Sequence, residues 1–130
     1  MGQGGISLGV WGERVAAWYL SAKKGYAILE TNHHTRFGEI DIVAQDALGQ
    51  FIFVEVKTRS AGNSVVPEYA VDRKKYLRIR KSAMAYISEK EIENARIDLV
   101  AVICGNKVEN IIIRHHVAIS DIWSKKPICL

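Results

Sequence analysis

Residues Gly38 to Ser60 read GEIDIVAQDALGQFIFVEVKTRS. Two β-rich runs, Glu39 to Gln45 and Phe51 to Thr58, flank Asp46-Ala47-Leu48-Gly49-Gln50, which has the turn chemistry of a hairpin. A turn centred on Leu48 sets Asp41 opposite Glu55 and Glu39 opposite Lys57. The second run begins with buried β-formers. It then carries Glu55, Lys57 and Arg59 on the same alternation as Phe51 and Phe53, so one strand face passes from apolar core into a charged cleft.

Cross-strand partners lie about 5 Å apart at Cβ, close enough for two carboxylates to share one hard cation through oxygen. Asp41 and Glu55 are therefore the expected ligands of Mg²⁺, or of Mn²⁺ in its place, with the Val56 backbone carbonyl as a further ligand. Lys57, two residues after Glu55 and on its face, is placed to orient a nucleophile or to hold negative charge developing on a phosphate. The same residues also fit a cross-strand ion-pair ladder led by Glu39 and Lys57, and spacing alone leaves both readings open.

Upstream, Leu8, Trp11, Val15, Trp18, Tyr19 and Ala22 recur at helical spacing, with Ser7 as cap and Gly25 as left-handed stop. On that helix Glu13 falls among Gly9, Ala16, Ala17 and Leu20, a small and apolar face, so its carboxylate is a third candidate acid, reaching a cation through water. An ordinary first-turn glutamate favoured by the helix dipole is the competing reading. Tyr26 to Asn32 reads as a strand before the hairpin. Downstream, Pro67 and Asp72 open a helix bearing Tyr76, Ile79, Ala83, Tyr86 and Ile87 on one face. Ile97 to Cys104 and Val108 to Ile113 form a second hairpin across Gly105-Asn106. The expected class is α/β, in the order αβββαββ, with a mixed central sheet flanked by helices.

Arg73, Lys74, Lys75, Arg78, Arg80 and Lys81 crowd the second helix, and residues 73–88 contain no acid. Lys74, Arg78 and Lys81 share one stripe, which with Arg59 is the candidate contact to a nucleic-acid backbone, Lys74 lying nearest the scissile phosphate. A solvated helix face is the alternative. The histidine pairs His33-His34 and His115-His116 point to opposite strand faces and read as surface or edge residues. Trp11, Trp18 and the tyrosines at helical spacing read as core. Neither Cys104 nor Cys129 has the neighbours of a nucleophile.

Composition narrows the class. A chain of 130 residues with only two prolines and no candidate linker fits one domain over residues 1–130, with its core at roughly 9–120 and flexible termini. Two cysteines make no disulfide framework, which favours a reducing, cytoplasmic setting. No leader pattern or apolar span points to a membrane partner. The net charge of +4 is mild, so the positions of the charges carry the argument.

Gly38-Glu39-Ile40-Asp41 followed by Phe53-Val54-Glu55-Val56-Lys57-Thr58-Arg59 resembles the Asp…Glu-x-Lys signature of the PD-(D/E)xK nuclease superfamily. With Gly12-Glu13, Ala17-Trp18-Tyr19-Leu20, Pro67, Ala70-Val71, Lys74 and Arg96-Ile97-Asp98-Leu99-Val100-Ala101-Val102, the chain resembles the small bacterial YraN family over residues 9–120. Members usually carry an aromatic residue and an arginine where this chain has His33-His34. The resemblance implies a restriction-endonuclease-like core, similar to archaeal Holliday-junction resolvases. It also implies that Glu13, Asp41, Glu55 and Lys57 are the catalytic acids and lysine. The expected function is a Mg²⁺-dependent endonuclease acting on DNA, with branched or structured DNA among its candidate substrates. A homodimer would supply two sites for two strands. The alternative from another class is a non-catalytic nucleic-acid-binding module with a nuclease-like fold.

Overall fold

The computed structural model describes residues 5–62, 66–105 and 110–119. Helix α1 (Leu8–Trp18) starts where the Ser7 side chain accepts the Val10 N–H at 3.1 Å, and it runs on as a π-helical turn, Tyr19–Lys23. The chain leaves this turn at Gly25, whose φ of +74° is open to glycine at no steric cost, as expected. Strands β1 (Ala27–Thr35), β2 (Gly38–Gln45) and β3 (Phe51–Ser60) form an antiparallel meander. Helix α2 (Arg73–Lys90) crosses over to β4 (Ala95–Cys104), which pairs parallel with β3, and β5 (Ile112–His116) closes the sheet antiparallel to β4. The sheet order is β1-β2-β3-β4-β5. The class, the αβββαββ order and the mixed sheet between helices are those expected of a restriction-endonuclease-like core.

The hairpin register is also as expected, with Ile42 opposite Val54, Val43 opposite Phe53, Ala44 opposite Ile52 and Gln45 opposite Phe51. Its turn is held by Asp46, whose Oδ1 accepts the N–H groups of Leu48 at 3.0 Å and Gln50 at 2.9 Å. The pairing stops at Ile42, however, so the ladder does not extend to Asp41 and Glu55. Strand β3 pairs with β4 along its whole length, Phe51 to Ser60, and from Glu55 onward β4 is its only paired strand among the described residues. The Asp41 carboxylate instead accepts the Val56 N–H at 2.9 Å, standing in for a strand that has moved away.

The central strands are buried on both faces. Against α2, Val43, Phe53, Ile97 and Leu99 pack with Tyr76, Ile79, Ala83 and Tyr86. Against α1, Ile42, Ala44, Ile52, Val54, Val56, Val100 and Val102 pack with Ala16 and Leu20. The expected apolar stripe of α1 holds in part: Trp11, Val15 and Tyr19 pack against this cluster, but the residues buried on the sheet are Gly12, Ala16 and Leu20, while Trp18 is 54% exposed, with Lys23 Nζ 5.6 Å from its ring centroid. Close approach is the reason. A Cβ at Gly12 would overlap the Thr58 hydroxyl and come within 2.8 Å of Thr58 Cβ, so the contact face must be built from small residues, with the large rings at its sides.

Two further boundaries differ from expectation. Pro67 opens a separate 3₁₀ turn, Pro67–Ala70, and α2 itself starts at Asp72, whose Oδ1 accepts the Lys75 N–H at 2.8 Å. The last strand runs Ile112–His116 rather than Val108 to Ile113, pairing with β4 from Ile103 opposite Ile112 to Leu99 opposite His116. Asn106, Val108 and Cys129 lie outside the described residues. The displacement follows from side chains: His115 and Arg114 have buried or half-buried acids to meet, Asp98 and Glu68.

Candidate metal and phosphodiester site

Where β2 and β3 separate, a cavity of about 300 Å³ opens between α1 and α2. Its walls include Glu13 of α1, Glu39 and Asp41 of β2, Glu55, Val56 and Lys57 of β3, and Lys75, Arg78 and Ser82 of α2. The tight Gly12–Thr58 contact seats the first turns of α1 on β3 and so delivers Glu13 to the rim. The i, i+2 spacing of Glu39 and Asp41 turns both toward the cavity, as it does for Glu55 and Lys57.

One carboxylate oxygen from each of Glu13, Glu39 and Asp41 lies within 4.8 Å of the others. Asn32, held at φ +51°, donates from Nδ2 to Glu13 Oε1 at 2.8 Å and to Glu39 Oε1 at 3.4 Å. His34 Nε2 lies 3.3 Å from Glu39 Oε2. Glu55 is nearly inaccessible, at 5% exposure, and its Oε2 is 3.0 Å from Lys57 Nζ and 3.7 Å from Lys75 Nζ. The acids thus form two groups: three clustered carboxylates and one neutralised by lysines.

Burial pushes the Asp41 carboxyl up to about 7, and the negative charges of Glu55 and Glu13 add to the rise, while the Val56 N–H opposes it. Packing acids this closely costs stability unless protons or a cation offset their repulsion. All the donors are hard oxygens, and the cluster is small and partly dry, so the residues fit a divalent cation of the Mg²⁺ type. Glu13, Glu39 and Asp41 are the carboxylates that would hold it, with Glu55 in the same cavity wall.

The arrangement corrects the sequence reading in three places. Glu39, set opposite Lys57 by the expected register and its partner in the alternative ion-pair reading, belongs instead to the acid cluster, because β2 and β3 part before the two could meet. Lys75, not Lys74, enters the cavity. Asn32 went unread as a site residue, and no pattern signals it: it reaches Glu13 and Glu39 only through its left-handed backbone. Val56 lines the wall and contributes its N–H to Asp41. Arg59 Nη1 donates to the Thr58 carbonyl at 2.9 Å, and Arg59 is not part of the cavity wall. Lys74, Arg78 and Lys81 do fall together, in an adjoining groove with Arg36, Phe37 and Leu77, and Arg78 is common to both spaces.

A second polar centre is built on β4 and β5. Asp98 is fully buried and accepts from Arg96 Nε at 2.9 Å and the Ala118 N–H at 2.9 Å. His115 Nε2 is 2.8 Å from Asp98 Oδ2, and its Nδ1 is 3.1 Å from the Tyr19 hydroxyl. His115 lies on the edge strand, as one half of the expectation had it, but with 6% of its side chain exposed it is not a surface residue. Among the described residues, no helix is long and apolar enough to cross a membrane.

The model of the uncharacterised protein family UPF0102 matches residues 12–102. A UPF0102 protein of Trichlorobacter lovleyi is 45% identical over 105 residues, covering 79% of this chain and 82% of its own. Another from Syntrophus aciditrophicus is 46% identical over 99 residues, covering 75% and 76%. Among solved structures, a complex of EndoMS with double-stranded DNA is similar with a TM-score of 0.41 and 14% identity, covering 75% of this chain and 37% of the EndoMS chain. The match across residues 12–102, with relatives of this identity along most of their length, shows that the chain belongs to UPF0102, the YraN family.

Proposed function

We propose that the protein is a Mg²⁺-dependent endonuclease that hydrolyses phosphodiester bonds in DNA. The observation that carries this reading is the meeting of Glu13, Glu39, Asp41 and Glu55 with Lys57 and Lys75 in one cavity, beside a groove lined by four cations and no acid. A module that only bound DNA would lose affinity by holding four carboxylates next to a phosphate.

Hydrolysis joins a water oxygen to phosphorus and breaks one bridging phosphorus–oxygen bond, the departing oxygen taking up a proton. When bound, the cation lowers the pKa of water and polarises a phosphate oxygen. Lys57 and Lys75, whose ammonium groups lie 3.0 and 3.7 Å from Glu55 Oε2, would hold the non-bridging oxygens, on which negative charge grows. Asp41, fixed by the Val56 N–H, keeps its orientation throughout. Arg78 links the cavity to the cationic groove, so backbone on one side of the cut is held by contacts that read no sequence. A second copy of the chain would bring a second site to the opposite strand.

The test is cleavage of supercoiled and labelled duplex DNA. Activity with Mg²⁺ or Mn²⁺, lost in EDTA and lowered about 100-fold or more by Glu55→Ala and by Lys57→Ala, is the expected result. Salt-sensitive DNA binding without cleavage under any divalent ion would replace the enzyme with a non-catalytic binding module.

A further inference from the structure

The groove beside the acid cavity, about 470 Å³ in volume, has a wall that backbone contact alone does not explain. Lys74, Arg78 and Lys81 are exposed on α2, and among the described residues none has a carboxylate within 4.0 Å. These cations suit phosphate. Facing them are Phe37, half-buried, with the Arg36 guanidinium 4.8 Å from its ring centroid, and Leu77, 40% exposed.

The Arg36-Phe37 turn is anchored. The Phe37 N–H donates to Thr35 Oγ1 at 3.1 Å, and that hydroxyl lies 2.8 Å from the Gly38 carbonyl and 3.1 Å from the Ser82 hydroxyl of α2. A ring and a guanidinium plane are thus held at a fixed height over a cationic helix. Stacked base pairs shield their faces from such a platform, whereas an unpaired base offers its own.

We propose that this groove is a nucleotide subsite: it holds a phosphate next to the scissile one on Lys74, Arg78 and Lys81, and stacks an unpaired base on the Arg36–Phe37 pair. The proposal rests on the reading of the adjoining cavity as a phosphodiester site, because Arg78 lines both spaces. The substrate class it names is a nucleic-acid strand with an unpaired nucleotide at the cut.

Fluorescence anisotropy in EDTA, so that binding is measured without cleavage, compares a blunt DNA duplex with the same duplex carrying a short single-stranded overhang. Wild type is expected to bind the overhang duplex more tightly. Phe37→Ala should weaken overhang binding roughly tenfold, the size of one base stacked on an aromatic ring, and leave the blunt duplex unchanged. Phe37→Trp should keep the preference, which guards against a merely misfolded alanine variant. Lys81→Ala should weaken both ligands and flatten their salt dependence. Equal affinity of wild type for the two duplexes, equal losses on both in Phe37→Ala, or no binding at all would overturn the subsite. An intact overhang preference in a protein that cleaves nothing with Mg²⁺ would overturn catalysis and leave the subsite standing.

Discussion

The carboxylate of Asp41 receives the Val56 N–H at 2.9 Å at the point where β2 stops pairing with β3. One side chain therefore closes the end of a hairpin and opens the acid cavity. These roles separate by substitution. Asp41→Asn keeps an oxygen acceptor and removes a buried charge, whereas Asp41→Ala leaves the N–H without its acceptor and should lower stability by about 1–3 kcal/mol.

The pH dependence distinguishes them further. The Asp41 carboxyl is raised to about 7, so in the metal-free protein its favourable contribution is present below the unfolded value of 3.8 and is lost as pH rises through 7. Thermal melting in EDTA should show Asp41→Asn gaining on wild type between pH 5 and pH 8. A constant difference across that range would contradict the buried, shifted carboxyl.

Gly12→Ala should destabilise the fold by about 1–3 kcal/mol, since its methyl would meet Thr58. The same displacement moves Glu13 from the rim, so metal affinity should fall with stability. Adding Thr58→Ala should recover part of both. Urea unfolding and Mn²⁺ titration of the three variants check this.

Asp98→Ala should be among the most damaging single changes. It would strand Arg96 and His115 without the buried carboxylate that faces them, at about 3–5 kcal/mol. Because Asp98 does not line the acid cavity, cleavage by the remaining folded protein should be unaltered. A loss of activity exceeding the loss of folded protein would contradict that division.

Arg114 holds Glu68 well down, to about 2, through bonds of 2.6 and 2.9 Å, and His116 adds a contact at 2.9 Å. A lowered carboxyl contributes stability that is present above its unfolded value of 4.5 and is lost as pH falls through 2. Wild type should therefore lose its advantage over Glu68→Gln between those limits, read as converging melting temperatures.

Some of this was legible in the residues and some was not, for physical reasons. Asp46 and Gly49 announced the hairpin, and its register followed because each turn residue has one backbone role. Glu55 and Lys57 were found by period-two alternation. Glu39 was misassigned because antiparallel pairing was carried past the point where the strands part, and no local signal marks that separation. Lys74 was placed nearest the cut as a member of the stripe with Arg78 and Lys81, and it does line the groove with them, whereas Lys75, one residue and about 100° of helix further on, lines the acid cavity. The edge position of His115 was legible, but its burial was not, because its partner Asp98 lies on a neighbouring strand whose pairing depends on the whole sheet. Trp18 was read as core because a large ring outweighs glycine and alanine in any apolar pattern, although the small residues make the contact.

The most direct measurement is a calorimetric titration of Mg²⁺ and Mn²⁺ into wild type and Asp41→Ala at pH 7, each in two buffers of different ionisation enthalpy. Wild type should bind the ion and release protons, because a carboxyl raised to about 7 is partly protonated at this pH and must give up its proton to a metal. Asp41→Ala should bind at least tenfold more weakly and release fewer protons than wild type. Wild type that binds neither ion, or a variant that binds as tightly as wild type, would contradict the metal site.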